Sequence, residues 1–239
     1  MSKQIECLNL TVKYDNKIAL DNVDFTINEG DYIAIIGENG SGKTTLMKAI
    51  LGLLKPSSGK IIFASQALKN KIGYVPQKNM IQKNFPASVF EVVLSGFAAK
   101  NRFLPFYTSK EKKTALSNME CVKISNLKNH SYQNLSGGQQ QRVLLARALN
   151  SAENIIFMDE PAANLDPIAT NEFYDSVEHL NKHHKVTIVT TTHDIKEIVK
   201  HANKILHLDK QVLFFGTTND YLKTKLSEIM MGSDHYDIH

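Results

Sequence analysis

Three glycines, a lysine and a threonine stand at fixed intervals in Gly37-Glu38-Asn39-Gly40-Ser41-Gly42-Lys43-Thr44, a G-x-x-x-x-G-K-T run. An apolar run, Tyr32 to Ile36, feeds into it, and a helical pattern from Thr45 to Leu53 follows. Strand, glycine loop and helix are together the context of a phosphate-binding loop. The glycines let successive N–H groups point at one anion, and the helix N-terminus adds partial positive charge. Lys43 would reach the outer phosphates and the Thr44 hydroxyl would ligate Mg²⁺.

Four more places carry polar groups at element ends. Asn154 to Glu160 reads as a buried strand ending in two acids, Asp159 and Glu160. Beside a phosphate loop the first would hold Mg²⁺ and the second would orient and deprotonate a water; alone, such a pair is also an exposed strand end. Leu135-Ser136-Gly137-Gly138-Gln139 opens a helix with Ser136 at its N-cap, a second anion-binding arrangement in one chain. One nucleotide has no need of two such loops from one molecule, so the second is expected to serve a nucleotide held by another copy. His193 ends the β-branched run Lys185 to Thr191, at the strand edge where open α/β sheets bind ligands. Tyr14 stands before the turn Asp15-Asn16-Lys17; it is either an ordinary strand aromatic or a platform for a nucleobase.

The elements that must position these residues form one α/β chain. Ile5 to Tyr14 and Ile18 to Ile27 predict two short strands in an antiparallel hairpin. Lys60 to Ala64 and Lys71 to Val75 read as strands, and Pro76 leaves Gln77 in a loop. From about Lys78 to Asn134 strand signals cease; Val89 to Leu94 and Lys110 to Val122 read as helices of an insertion. The aromatic, basic loop Phe97 to Tyr107 either caps that insertion or docks a partner. Pro167 suits the first turn of a helix reaching about Lys182. A helix from Ile195 to His201, a hairpin of Lys204 to Leu208 with Val212 to Phe215, and a last helix from about Asp220 to Met230 close the chain.

Composition sets bounds. The 239 residues suffice for one large domain, and 42% hydrophobic against 22% charged content predicts a packed core. A net charge of +4 without a basic block points away from nucleic acid. No apolar run approaches the roughly 18 residues of a bilayer span, and residues 1–7 lack the apolar stretch of a signal peptide. Cys7 and Cys121 are expected to be buried structural thiols in a reducing cytosol. Any role at a membrane would then run through a partner.

Together these residues resemble the ATP-binding subunit of an ABC transporter over nearly the whole chain. The resemblance implies an ABC-type P-loop NTPase core, residues 1–77 and 135–239, with an N-terminal antiparallel β region and a helical subdomain at about 78–134. It implies ATP and Mg²⁺ as cofactors. Tyr14 falls at the adenine-stacking position, and Gly37, Asn39, Gly40, Ser41, Gly42, Lys43, Thr44 and Thr45 belong to the phosphate-binding Walker A segment. Thr44, Gln77 and Asp159 match the Mg²⁺ positions; Gln77 is the Q-loop glutamine, Glu160 the catalytic base and His193 the switch histidine. Ser136, Gly137, Gly138 and Gln139 form an intact LSGGQ signature, and Asp166 lies in the D-loop. The implied assembly is a head-to-tail homodimer with two ATP molecules between the copies. It sits at the cytoplasmic face of the membrane on an integral membrane permease, and an extracellular or periplasmic metal-binding protein feeds the permease. The docking surface would include Met80, Phe85 and the Phe97 to Tyr107 loop.

Phe85-Pro86-Ala87-Ser88-Val89-Phe90-Glu91-Val92-Val93-Leu94-Ser95-Gly96 resembles a stretch of zinc and manganese importer ATPases. Asn171 to Tyr174, His183-His184 and Thr191 to Asp194 are similar to zinc-importer ATPases of Gram-positive bacteria. The implied function is uptake of a divalent metal ion, zinc before manganese, with a soluble non-transport ABC ATPase as the other class. A P-loop kinase would have no use for LSGGQ. His179 and His183, spaced i, i+4, and the tail Asp234 to His239 have metal-ligand chemistry, against which stands the reading of a solvated helix face and a frayed end.

Overall fold

The computed structural model describes residues 2–15, 17–69, 71–77, 86–99, 106–152 and 154–232. Met80, Phe85, most of the basic aromatic loop and the histidine-bearing tail lie outside these. The chain divides into two compact units, Met1–Lys69 with Val189–His239, and Asn70–Ile188.

The first unit opens with β1 (Lys3–Tyr14) and β2 (Lys17–Asn28), paired antiparallel with Tyr14 opposite Lys17 at the tip. The hairpin is as expected, but its strands are long, 12 residues each. Bulges interrupt them at Asn9 and Asn22, which take left-handed φ values of 49° and 52°. The Asn9 N–H donates to Asp24 at 2.9 Å and its amide to Asn22 at 2.9 Å, replacing ladder bonds lost at the bulge. Then come β3 (Tyr32–Ile36), α1 (Lys43–Ile50), β4 (Ser58–Phe63) and α2 (Gln66–Lys69). β4 pairs antiparallel with the free side of β1.

The second unit contains β5 (Ile72–Val75), α3 (Val89–Leu94), α4 (Ser109–Cys121), α5 (Gly137–Ser151), β6 (Ile155–Asp159) and α6 (Pro167–His184). β5 and β6 run parallel, with Tyr74 beside Phe157. Each helix start is written in its sequence. Ser88 with Glu91, Thr108 with Glu111 and Ser136 with Gln139 form capping boxes. Asp166 caps α6 and Pro167 occupies its first turn, as expected. Buried Asn150 ties the helices together: it donates to the Val93 carbonyl at 2.7 Å and accepts from Asn118 at 2.7 Å. Without it both bonds are lost, at about 0.5–1.5 kcal/mol each.

At β7 (Thr187–Thr191) the chain passes back into the first unit, which ends with α7 (Ile195–Ile198), β8 (Lys204–Asp209), β9 (Gln211–Thr217), α8 (Thr218–Tyr221) and α9 (Lys225–Gly232). β8 pairs parallel with β3 and antiparallel with β9. All five residues of β3 are buried, the pattern of a strand covered on both faces. Phe25 meets Phe215 edge-on at 5.8 Å, packing β2 on β9.

Two sequence expectations change here. The helix expected to reach His201 ends at Ile198, and Asn203, just before β8, is pinned to β3: its N–H donates to the Tyr32 carbonyl and its side-chain oxygen accepts from the Tyr32 N–H, both at 3.0 Å. The expected last helix is two, since the Thr224 hydroxyl accepts from the Ser227 N–H at 3.2 Å and opens a new turn. The cysteines also divide. Cys7 is buried and its thiol is pushed up to about 12 by desolvation, with Asp24 adding to it. Cys121 is only part-covered, at the end of α4. Among the described residues no helix is long and apolar enough to cross a membrane.

Candidate functional site

In the first unit the phosphate loop hangs between β3 and α1. Gly42 is the N-cap of α1, at φ 102°, and no side chain caps that end. A Cβ there would fall 2.7 Å from the Ala19 carbonyl oxygen, so only glycine fits. The first N–H groups of α1 are thus left for an anion rather than taken by a serine or aspartate. Lys43 is buried, and its ammonium donates to the carbonyls of Gly37 at 2.7 Å and Glu38 at 2.9 Å. Among the described residues the buried Ser41 hydroxyl finds no hydrogen-bond partner. An uncapped helix start, a lysine and an orphaned hydroxyl are the donor set that a phosphate chain requires. Asn39, Gly40 and Thr44 are exposed along the same loop.

Residues beyond the motif hold this loop. The Lys210 N–H donates to the Ser41 carbonyl at 2.8 Å, and the Asp21 N–H donates to the Lys210 carbonyl at 2.8 Å. Lys210 sits at left-handed φ 55° in the tight β8–β9 turn. Its sequence signal was the Asp209-Lys210 pair between two strands, which marks a turn but not what the turn supports. A cavity of about 630 Å³ opens beside Gly40, lined also by Ile18, Ala19, Lys210 and Gln211. Tyr14, at the hairpin tip, is 46% exposed, so its ring is presented to solvent and not packed as a core aromatic.

His193 belongs to this unit. The Thr192 N–H donates to the Ile35 carbonyl at 3.2 Å, tying the end of β7 to the end of β3. The Asp194 N–H donates to the Thr192 hydroxyl at 3.0 Å, and Asp194 caps α7. These bonds fix the backbone on both sides of His193, whose side chain is exposed.

The second unit carries the acids. Asp159 ends β6 and is buried, with 7% of its surface exposed. Tyr74, on the neighbouring strand β5, has its phenol raised above the ordinary range by desolvation and then by the Asp159 charge. Glu160 sits at φ 44°, a left-handed conformation that costs energy in a non-glycine residue and recurs at functional sites. Its carboxylate accepts from the Gln77 amide at 3.3 Å, the long end of the range. Gln77 itself is exposed.

The signature loop is built as a helix start. The Ser136 hydroxyl accepts from the Gln139 N–H at 3.3 Å, and the Gln139 side-chain oxygen accepts from the Ser136 N–H at 3.0 Å. The Ser136 O–H proton thus remains to be donated. Gln139, by contrast, is engaged with its own helix. A Cβ on Gly138 would fall 2.8 Å from the Ala169 Cβ, so this glycine lets the start of α5 approach the start of α6. Asp166 accepts from the Ala169 N–H at 2.9 Å, so its carboxylate too is engaged as a cap. Ala169, the small residue facing Gly138, carries no signal in the sequence beyond its size.

The phosphate loop, Tyr14 and His193 stand in the first unit, and Gln77, Asp159, Glu160, Asp166 and the signature loop in the second.

Residues 20–163 match the family described as ABC transporter. The zinc uptake system ATP-binding protein ZurA of Listeria monocytogenes is 35% identical over 92% of this chain and 88% of its own. The manganese transport system ATP-binding protein MntB of the same organism is 35% identical, over 89% of each chain. Among solved structures, the ADP conformation of the ATP-binding cassette MJ1267 superimposes with a TM-score of 0.85 at 25% identity, covering 97% of this chain and all of that one. The dimeric bacterial ABC transporter cassette MJ0796 gives 0.75 at 30% identity, covering 90% and 98%. With the phosphate loop, the paired acids and the signature turn in place, the chain belongs to the ABC transporter family, as its ATP-binding and ATP-hydrolysing subunit.

Proposed function

We propose that this chain powers an importer of a divalent metal ion, with zinc as the cargo. The observation that carries the proposal is its 35% identity to a zinc uptake ATP-binding protein over nearly the whole of both chains. Manganese is the second reading, favoured by an equal identity to a manganese transport relative.

In this proposal Tyr14 stacks the adenine. Gly37, Asn39, Gly40, Ser41, Gly42, Lys43, Thr44 and Thr45 cradle the phosphates. Thr44, Gln77 and Asp159 are the residues that would hold Mg²⁺, which when bound supplies charge neutralisation at the transferred phosphoryl group. Glu160 takes a proton from water as the water oxygen bonds to the terminal phosphorus, and the bond to the ADP oxygen breaks. His193 donates to the terminal phosphate. Ser136 to Gln139 and Asp166 serve a nucleotide held by a second copy, which makes the working form a head-to-tail homodimer. The orphaned Ser41 hydroxyl, the uncapped α1 and the spare Ser136 proton support these roles. The dimer would sit on the cytoplasmic side of a membrane permease, which receives metal from an extracytoplasmic binding protein.

The permease would engage the helical stretch that follows Gln77. Support comes from a largely apolar cavity of about 480 Å³ in the second unit, bordered by Pro86, Ala87, Val92, Tyr132, Leu144 and Arg147. The aromatic loop divides: Phe97 is buried at 3% exposure and caps the unit's own core, while Phe106 is 78% exposed and is left for a partner.

The test is the total content of each metal in cells lacking the chain, grown on limiting metals. Low zinc restored by added zinc supports the proposal. Low manganese restored by manganese selects the second reading, and no change in any metal overturns both.

A further inference from the structure

Cys121 closes α4, and His179, His183 and His184 stand at the end of α6, all within the second unit. Cys121 Sγ lies 3.7 Å from His184 Nε2. The His179 ring centre is 4.8 Å from that of His183 and 5.3 Å from that of His184. An ion held tetrahedrally by a thiolate at about 2.3 Å and an imidazole at about 2.0 Å keeps those two donor atoms about 3.5 Å apart. Two imidazoles on one such ion bring their ring centres to about 5 Å. Both spacings are met here without an ion.

We propose that Cys121, His179 and His184, with His183 as the fourth donor, form a surface site for one borderline-soft divalent cation of the zinc class. Among the described residues no three such side chains already surround one point. The three imidazoles are exposed, however, so the ion completes the site by turning rings that already move on fast timescales. Histidines at a helix C-terminus are also favoured by the helix dipole. That accounts for rings along α6, but not for a thiol from α4 placed against one of them.

The chemistry balances simply. The Cys121 S–H bond breaks, its proton goes to solvent, and the sulfur lone pair binds the ion; the imidazoles bind through the lone pairs of their neutral forms. Burial and then the Glu120 charge hold the thiol above its ordinary range, so without metal it stays protonated. Desolvation, then His183, His184 and Lys123, hold His179 below the ordinary histidine range, so its ring is neutral and free to ligate at neutral pH. The site stands whether or not the transported cargo is a metal.

The test uses the full-length, metal-stripped protein and Co²⁺ as probe. One equivalent should produce a near-ultraviolet thiolate-to-cobalt charge-transfer band, which added Zn²⁺ removes. The band should vanish in Cys121→Ser and persist in Cys7→Ser, since these are the chain's two cysteines. Competition with a chromophoric chelator should show zinc held at least about tenfold more weakly in His179→Ala/His184→Ala, the lower end of what even outer-shell changes cost. Circular dichroism melts would show that the variants fold. A missing band at one equivalent, a band that survives Cys121→Ser, or zinc binding lost only on replacing the tail residues His235 and His239 would overturn the proposal.

Discussion

The general base proposed for ATP hydrolysis is a single side chain, Glu160. Its backbone is held in a left-handed conformation just past a buried strand, so the carboxylate is aimed by the fold. The Gln77 amide donates to that carboxylate at 3.3 Å, a bond long enough for a water to compete with it. Glu160→Gln keeps shape and removes basicity. ATP turnover should fall by about 10²–10⁴, the worth of a positioned general base, while ATP binding persists. Steady-state phosphate release beside nucleotide-binding titrations decides this; wild-type turnover in the variant would remove Glu160 from the role.

At the scale of elements, the strand that supports the phosphate loop carries a titratable group. His207 lies on β8, buried, with its Nδ1 3.1 Å from the Tyr221 hydroxyl on α8. Burial holds its pKa below the ordinary 6.5, against smaller opposing pulls from Asp209 and Glu38. The unfolded chain therefore takes up this proton more readily than the folded one. Stability is full above the unfolded value and falls as pH drops below it. The melting temperature should decline between about pH 7 and pH 5.5, and His207→Gln should flatten part of that decline. An unchanged slope in the variant would mean that other groups carry it.

The whole molecule must account for two anion-binding helix starts in one chain. If each nucleotide lies between the phosphate loop of one copy and the signature loop of another, two impaired variants can rescue each other. Lys43→Ala disables one half of each shared site and Ser136→Ala weakens the other half. In a mixed dimer one site collects both defects and the other collects neither. In an equimolar mixture about half of the dimers are mixed, each with one intact site of two, so roughly a quarter of the wild-type ATPase per dimer should return, taking the two sites as independent. No recovery on mixing would mean that each chain completes its own site.

What the sequence determined by itself was everything carried by short-range pattern. The glycine loop between an apolar run and a helix, the paired acids after a second apolar run, and the capping signals at Ser136 and Pro167 were all legible, because backbone bending, strand burial and helix capping are settled within a few residues. The boundaries of α7 and α9 were not, since Asn203 is held by Tyr32 and Thr224 by its own turn. Long-range packing alone makes Lys210 brace the Ser41 backbone, sets Ala169 against Gly138, and brings Cys121 to His184 across 63 residues of chain. Such contacts depend on how β8–β9, α5 with α6, and α4 with α6 pack, and no local periodicity records which residues of two packed elements will touch.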